Sequence, residues 1–152
     1  MDFVVTPHTI TSNSRTAATL LRDLKTALLT APAAGLHPDR ITETAIWTYE
    51  RADGRRLAVP FWAPGSPEDH LQIDIVFGEP LPLPPEPLTL PGVDAPLQAA
   101  PASLALAWKL LWLATDLYPQ GKDLYDAALL AEHTTVDQWT KRLALALDRA
   151  WS

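Results

Sequence analysis

The sequence predicts an α+β fold in which a sheet with one early helix precedes a helical C-terminal half. Three features predict it. Residues 41–50 and 71–77 are runs rich in β-branched and apolar residues, the composition of strands. Residues 14–30 carry leucines at helical spacing. Residues 79–101 hold eight prolines, and beyond them the composition turns to Leu, Ala and Trp. The expected organisation is a core sheet over 1–78, a proline-rich crossing over 79–101, and a helical part over 102–152 packed on that core.

Phe3, Val4 and Val5 form a short strand signal ended by Thr6-Pro7. A helix follows over 14–30, with Ser14 as N-cap and Leu20, Leu21, Leu24, Leu28 and Leu29 as its apolar face. Pro32, Gly35 and Pro38 close it. The strand over 41–50 is followed by Asp53-Gly54, a strong hairpin-turn signal, and by a return strand over 57–62 in which Pro60 marks an edge or bulge. Residues 71–77 give the clearest strand. The prolines at 80, 82, 84, 85, 87, 91, 96 and 101 forbid helix and favour an extended path. Residues 102–117, 122–133 and 135–150 then read as three helices.

Composition narrows the chemistry. At 152 residues the chain is long enough for one domain with a substantial core. It has no cysteine, which excludes a thiol nucleophile and cysteine-bound zinc. His8, His37, His70 and His133 are too scattered for a histidine zinc motif. No apolar run approaches a membrane span, and the N-terminus lacks the basic region of a signal peptide, so a cytoplasmic location is expected. The net charge of −6 gives no general attraction to nucleic acid, although a bound divalent ion would invert the local field. Arg51, Arg55 and Arg56 read as solvated surface charge.

Side chains alternate along a strand, so Leu71, Ile73, Ile75 and Phe77 share one face and Asp74 lies on the other, flanked by Gln72 and Val76. A carboxylate there is costly to desolvate unless it is paired, hydrogen-bonded or metal-bound, and if unpaired its removal would be neutral or stabilising. Asp2 heads another strand, and carboxylates on adjacent strands can hold a divalent ion between them. Lys109 is the lone charge in the apolar stretch Leu104–Ala114 and either snorkels to water or reaches a carboxylate or phosphate. Asp123 and Asp126 lie three apart on one helix face. Asp123 suits the positive end of the helix dipole, whereas Lys122 opposes it.

Together these segments resemble the AbiEii/AbiGii toxin family of type IV toxin–antitoxin and abortive-infection systems. The resemblance rests on Gln72-Ile73-Asp74-Ile75-Val76-Phe77-Gly78-Glu79-Pro80, the proline-rich stretch, Ala107-Trp108-Lys109-Leu110, and Lys122-Asp123-Leu124-Tyr125-Asp126-Ala127-Ala128-Leu129-Leu130. It implies a polymerase-β-like nucleotidyltransferase core, a mixed sheet with helices on one face. It implies Mg²⁺ held by Asp2 and Asp74, with Asp2 matching the second carboxylate of an Asp-x-Asp pair. Lys109 would bind the triphosphate, and Lys122, Asp123 and Asp126 would match the family's Lys-Asp-x-x-Asp motif. The implied partners are a nucleoside triphosphate, tRNA or another RNA end, and a cognate antitoxin, with no membrane.

The sequence departs from the family pattern at Trp108, where glutamate is usual, and at Gln120, where a basic residue is frequent. Met1 occupies the x of Asp-x-Asp, so the Gly-Ser turn and first aspartate have no counterpart. The expectation is an N-terminally truncated chain with upstream coding sequence, impaired or inactive as it stands, and an apolar patch exposed near Phe3 and Val5. Two functions follow: a Mg²⁺-dependent nucleotidyltransferase acting on an RNA 3′ end or a protein hydroxyl, or a non-catalytic remnant of the fold that binds a partner or nucleotide.

Overall fold

A computed structural model describes residues 2–30, 35–48, 52–65, 67–115, 121–135 and 137. The chain divides into two compact units, 1–80 and 81–152.

In the first unit a four-stranded mixed sheet is built from β1 (Asp2–Val4), β2 (Thr42–Thr48), β3 (Ala52–Phe61) and β4 (Asp69–Val76), in the order β1-β4-β3-β2. β1 runs parallel to β4, whereas β2–β3 and β3–β4 are antiparallel. Between β1 and β2 the chain makes helix α1 (Arg15–Thr30) and a one-turn helix at Pro38–Arg40. Ser14 caps α1 as expected: its Oγ accepts the Ala17 N–H at 3.1 Å.

Alternation along the strands determines the core. Leu57, Val59, Ile73, Ile75 and Phe77 pack with Val5, Ala17 and Leu21, and Leu24 and Leu28 pack against this cluster. The apolar stripe of α1 is therefore narrower than the leucine spacing suggested: Leu20 and Leu29 are exposed. Complete burial of Leu57 and Ile75 stabilises by about 1.5–3 kcal/mol each. Phe3 is exposed, but Val5 lies in the core, so the apolar patch expected around both is confined to Phe3.

Asp53-Gly54 is not the hairpin turn. Both residues lie inside β3, opposite Trp47 and Ile46, and the β2–β3 connection falls outside the described residues. Gly54 answers a different need. A Cβ there would come within 2.8 Å of the Ile75 carbonyl oxygen and 3.0 Å of the Ile46 side chain. The glycine marks close approach within the sheet rather than a reversal. Pro60 lies beyond the end of β2, and its carbonyl accepts the His37 N–H at 2.8 Å. Its missing N–H points to that same side, so the β3–β4 ladder loses nothing.

The second unit contains helices α2 (Ala102–Thr115) and α3 (Gly121–His133), which pack on each other. The helix expected over 135–150 lies outside the described residues, save Thr135 and Asp137, which are not helical. The proline-rich segment is not helical, but neither is it a plain crossing. β5 (Glu86–Leu88) and β6 (Leu97–Ala99) pair antiparallel as a small hairpin. Among the described residues no helix is long and apolar enough to cross a membrane.

Candidate functional site

The outer face of the sheet, away from α1, carries a row of polar residues set by register. Asp2 pairs with Asp74 across the parallel β1–β4 ladder, and Arg56 pairs with Asp74 across β3–β4. Residues paired across a ladder project to the same face, so Asp2, Asp74 and Arg56 stand side by side.

Asp74 is 9% exposed, yet its charge is compensated. Arg56 donates to it through both tines of the guanidinium, Nε to Oδ1 at 2.7 Å and Nη2 to Oδ2 at 2.8 Å. Gln72 Nε2 donates to Oδ2 at 2.9 Å. Burial pushes the Asp74 carboxyl upward, but the hydrogen bonds and charge of Arg56, with the Gln72 bond, outweigh it and hold the group below its ordinary value. The Asp74 hydrogen bond in turn raises Arg56, with Asp2 adding to the attraction. The carboxylate is therefore paired and hydrogen-bonded, and the expectation that its removal would be neutral or stabilising does not apply to it.

In the second unit Lys109 reaches carboxylates rather than snorkelling away from them. Its Nζ lies 2.7 Å from Asp123 Oδ1 and 3.1 Å from Asp126 Oδ2, and 5.2 Å from the centroid of the Trp112 ring. The i, i+3 spacing on α3 presents both aspartates to one cation from α2. Desolvation pulls the Lys109 pKa down, but the two aspartates outweigh it and raise it, so the ammonium is firmly charged at neutral pH. Asp123 is buried, whereas Lys122 is exposed and makes neither of these contacts.

Arg56 is the residue that reading the sequence as surface charge missed. Its signal was parity: it alternates with core residue Leu57, so an antiparallel partner at Asp74 puts the two on one face. Arg55, its neighbour, faces the other way. It bonds Asp53 at 2.8 Å and lies 3.7 Å from Glu43, beside a cleft of about 460 Å³ lined by Ser12, Leu21, Arg22, Lys25 and Glu43. That cleft lies on the helix-covered side of the sheet, and its cations are engaged by Asp23, Glu43 and Asp53.

Asp2 and Asp74 are hard oxygen donors on neighbouring strands, the donor class that Mg²⁺ takes, and Mg²⁺ commonly uses one or two carboxylates with water and phosphate completing its shell. The donor class therefore suits the ion, while both Asp74 oxygens already accept bonds from Arg56 or Gln72. Among the described residues no group of three or more His, Asp or Glu side chains surrounds a metal-sized site.

A mixed sheet with helices, in an α+β chain, is consistent with a nucleotidyltransferase-like fold. The family model described as nucleotidyl transferase AbiEii toxin, type IV TA system, matches residues 1–152, and the chain belongs to that family. Its class is thus that of nucleotidyltransferase toxins with an antitoxin partner. No curated protein and no solved structure matches it.

Proposed function

We propose that this protein is a Mg²⁺-dependent nucleotidyltransferase toxin that transfers a nucleotide from a nucleoside triphosphate to an RNA 3′ end or a protein hydroxyl. The observation that carries the proposal is the register of Asp2 against Asp74 on adjacent parallel strands. In-line transfer requires the acceptor hydroxyl to displace pyrophosphate from the α-phosphorus, with charge neutralised at both centres. Bound Mg²⁺ supplies that neutralisation.

The chain's own residues take the remaining tasks. Asp2 and Asp74 are the metal ligands. Lys109 binds the triphosphate as a fixed positive charge, and Asp123 and Asp126 hold its ammonium in place. Lys122, exposed at the start of α3, is available to the acceptor. Family membership supports these assignments. The site of action is the cytoplasm, where triphosphates, tRNA and a cognate antitoxin are at hand.

One observation favours a second reading, a non-catalytic protein that retains the fold. Arg56 engages both oxygens of Asp74, as a purely structural ion pair would. The two readings separate on incubation with labelled nucleoside triphosphates, Mg²⁺ and total tRNA. Label at RNA 3′ ends, or in protein, that disappears with EDTA supports the enzyme. No incorporation into either supports the non-catalytic reading.

A further inference from the structure

Arg56 competes for the carboxylate that the metal reading requires. Asp74 Oδ2 accepts from both Arg56 Nη2 and Gln72 Nε2, which accounts for its in-plane lone pairs, while Oδ1 accepts from Arg56 Nε. An ion approaching Asp74 meets a carboxylate whose charge is already shared with a guanidinium a hydrogen-bond length away. The formal charges of the Asp2, Asp74 and Arg56 side chains sum to −1, and to −2 without Arg56, while the positive amino terminus also acts on Asp74.

We infer that Arg56 is a resident counter-cation that competes with a divalent ion for Asp74, so that it positions the carboxylate while weakening its hold on bare metal. This rests on the reading of Asp2 and Asp74 as metal ligands. The Arg56 side chain is 40% exposed whereas that of Asp74 is 13% exposed, so the guanidinium is the partner nearer to solvent. The strand backbone fixes Asp74 through its register with both Asp2 and Arg56, so release requires only side-chain rotation of Arg56. Arginine suits the role because its planar fork matches a carboxylate bidentately, orienting both oxygens before an ion arrives.

A merely structural arginine and a competing one give opposite signs. Loss of a structural partner disorders Asp74 and weakens metal binding. Loss of a competitor strengthens it. The test is Mn²⁺ binding to the full chain without nucleotide, read from the electron paramagnetic resonance of the free ion, with Mg²⁺ as competitor. Wild type, Arg56→Gln, Arg56→Lys, Asp74→Asn and Arg56→Gln/Asp74→Asn are compared, and circular dichroism checks that each is folded. Arg56→Gln is expected to bind Mn²⁺ about tenfold more tightly than wild type, the scale of one screened charge–charge interaction. Arg56→Lys, which keeps the charge but loses the fork, should fall between them, and the gain should vanish when Asp74 is also replaced. Equal or weaker binding by Arg56→Gln, with binding still lost in Asp74→Asn, overturns the role of Arg56 and leaves the metal reading standing. Undiminished binding in Asp74→Asn overturns both. Where Arg56→Gln does not fold, Arg56→Lys carries the test by the same sign.

Discussion

Asp2 and Asp74 stand opposite each other across the parallel β1–β4 ladder, on the sheet face that α1 does not cover. Their structural burdens differ. Asp2 is exposed, whereas Asp74 is buried, and Asp74 holds the bidentate Arg56 pair. Asp2→Asn should therefore cost less stability than Asp74→Asn. Asp74→Asn leaves Arg56 without its carboxylate and should cost about 1–2 kcal/mol while the fold persists. Urea unfolding of the two variants measures this. A stability loss for Asp2→Asn as large as that for Asp74→Asn would mean that the two carboxylates are one structural unit.

Lys109 is held by one buried and one half-exposed carboxylate, and the two contacts should be unequal. Lys109→Met leaves Asp123 buried beside a neutral group and should destabilise the protein by about 1–3 kcal/mol, less than for a fully buried pair. A double-mutant cycle in urea should give a larger coupling to Asp123 than to Asp126, whose side chain is 45% exposed and 3.1 Å away. Equal couplings would contradict the geometry.

The two ion pairs respond to pH from opposite ends. Asp74 has a folded-state pKa below its ordinary value of 3.8, so its contribution is complete above that value and is lost as the pH falls through the lowered one. Lys109 has a folded-state pKa above 10.5, so its contribution is complete below that value and is lost as the pH rises through the raised one. The coupling between Arg56 and Asp74, measured by double-mutant cycle, should therefore be constant from about pH 5 to 9 and decline only in strong acid. Decline already near pH 6 would show that Asp74 is not held low.

Gly54→Ala should be more damaging than its surface-like sequence context suggests. The new methyl group would press on the Ile75 carbonyl of the neighbouring strand, and backbone cannot yield as a side chain can. A cost of about 1–3 kcal/mol is expected, visible as a lowered Tm. Gly65→Ala, where no atom lies within 4 Å but φ is +82°, should show only backbone strain of about 1 kcal/mol. A larger fall in Tm for Gly65→Ala would contradict this account of Gly54.

Local periodicity made much of this structure legible. Two-residue alternation placed Ile73, Ile75 and Phe77 in the core and Asp74 on the opposite face, and Ser14 announced the start of α1. The Asp53-Gly54 turn was misplaced because a glycine needed for strand contact and one needed for a reversal look alike in sequence. Arg56 was overlooked because its partner is 18 residues away and only register joins them. The small hairpin at Glu86–Leu88 and Leu97–Ala99 was hidden because proline removes donors without forbidding an isolated pair of strands. Lys109 was visible as an anomaly, but helix packing was needed to show which carboxylates it meets.

The central claim is tested most directly by equilibrium binding of the four labelled nucleoside triphosphates, with and without Mg²⁺, to wild type, Asp2→Asn and Asp74→Asn. The account predicts that at least one nucleotide binds wild type only with Mg²⁺, and that either substitution abolishes this binding in a protein that remains folded. Nucleotide binding that persists in EDTA, or that survives both substitutions unchanged, would contradict it.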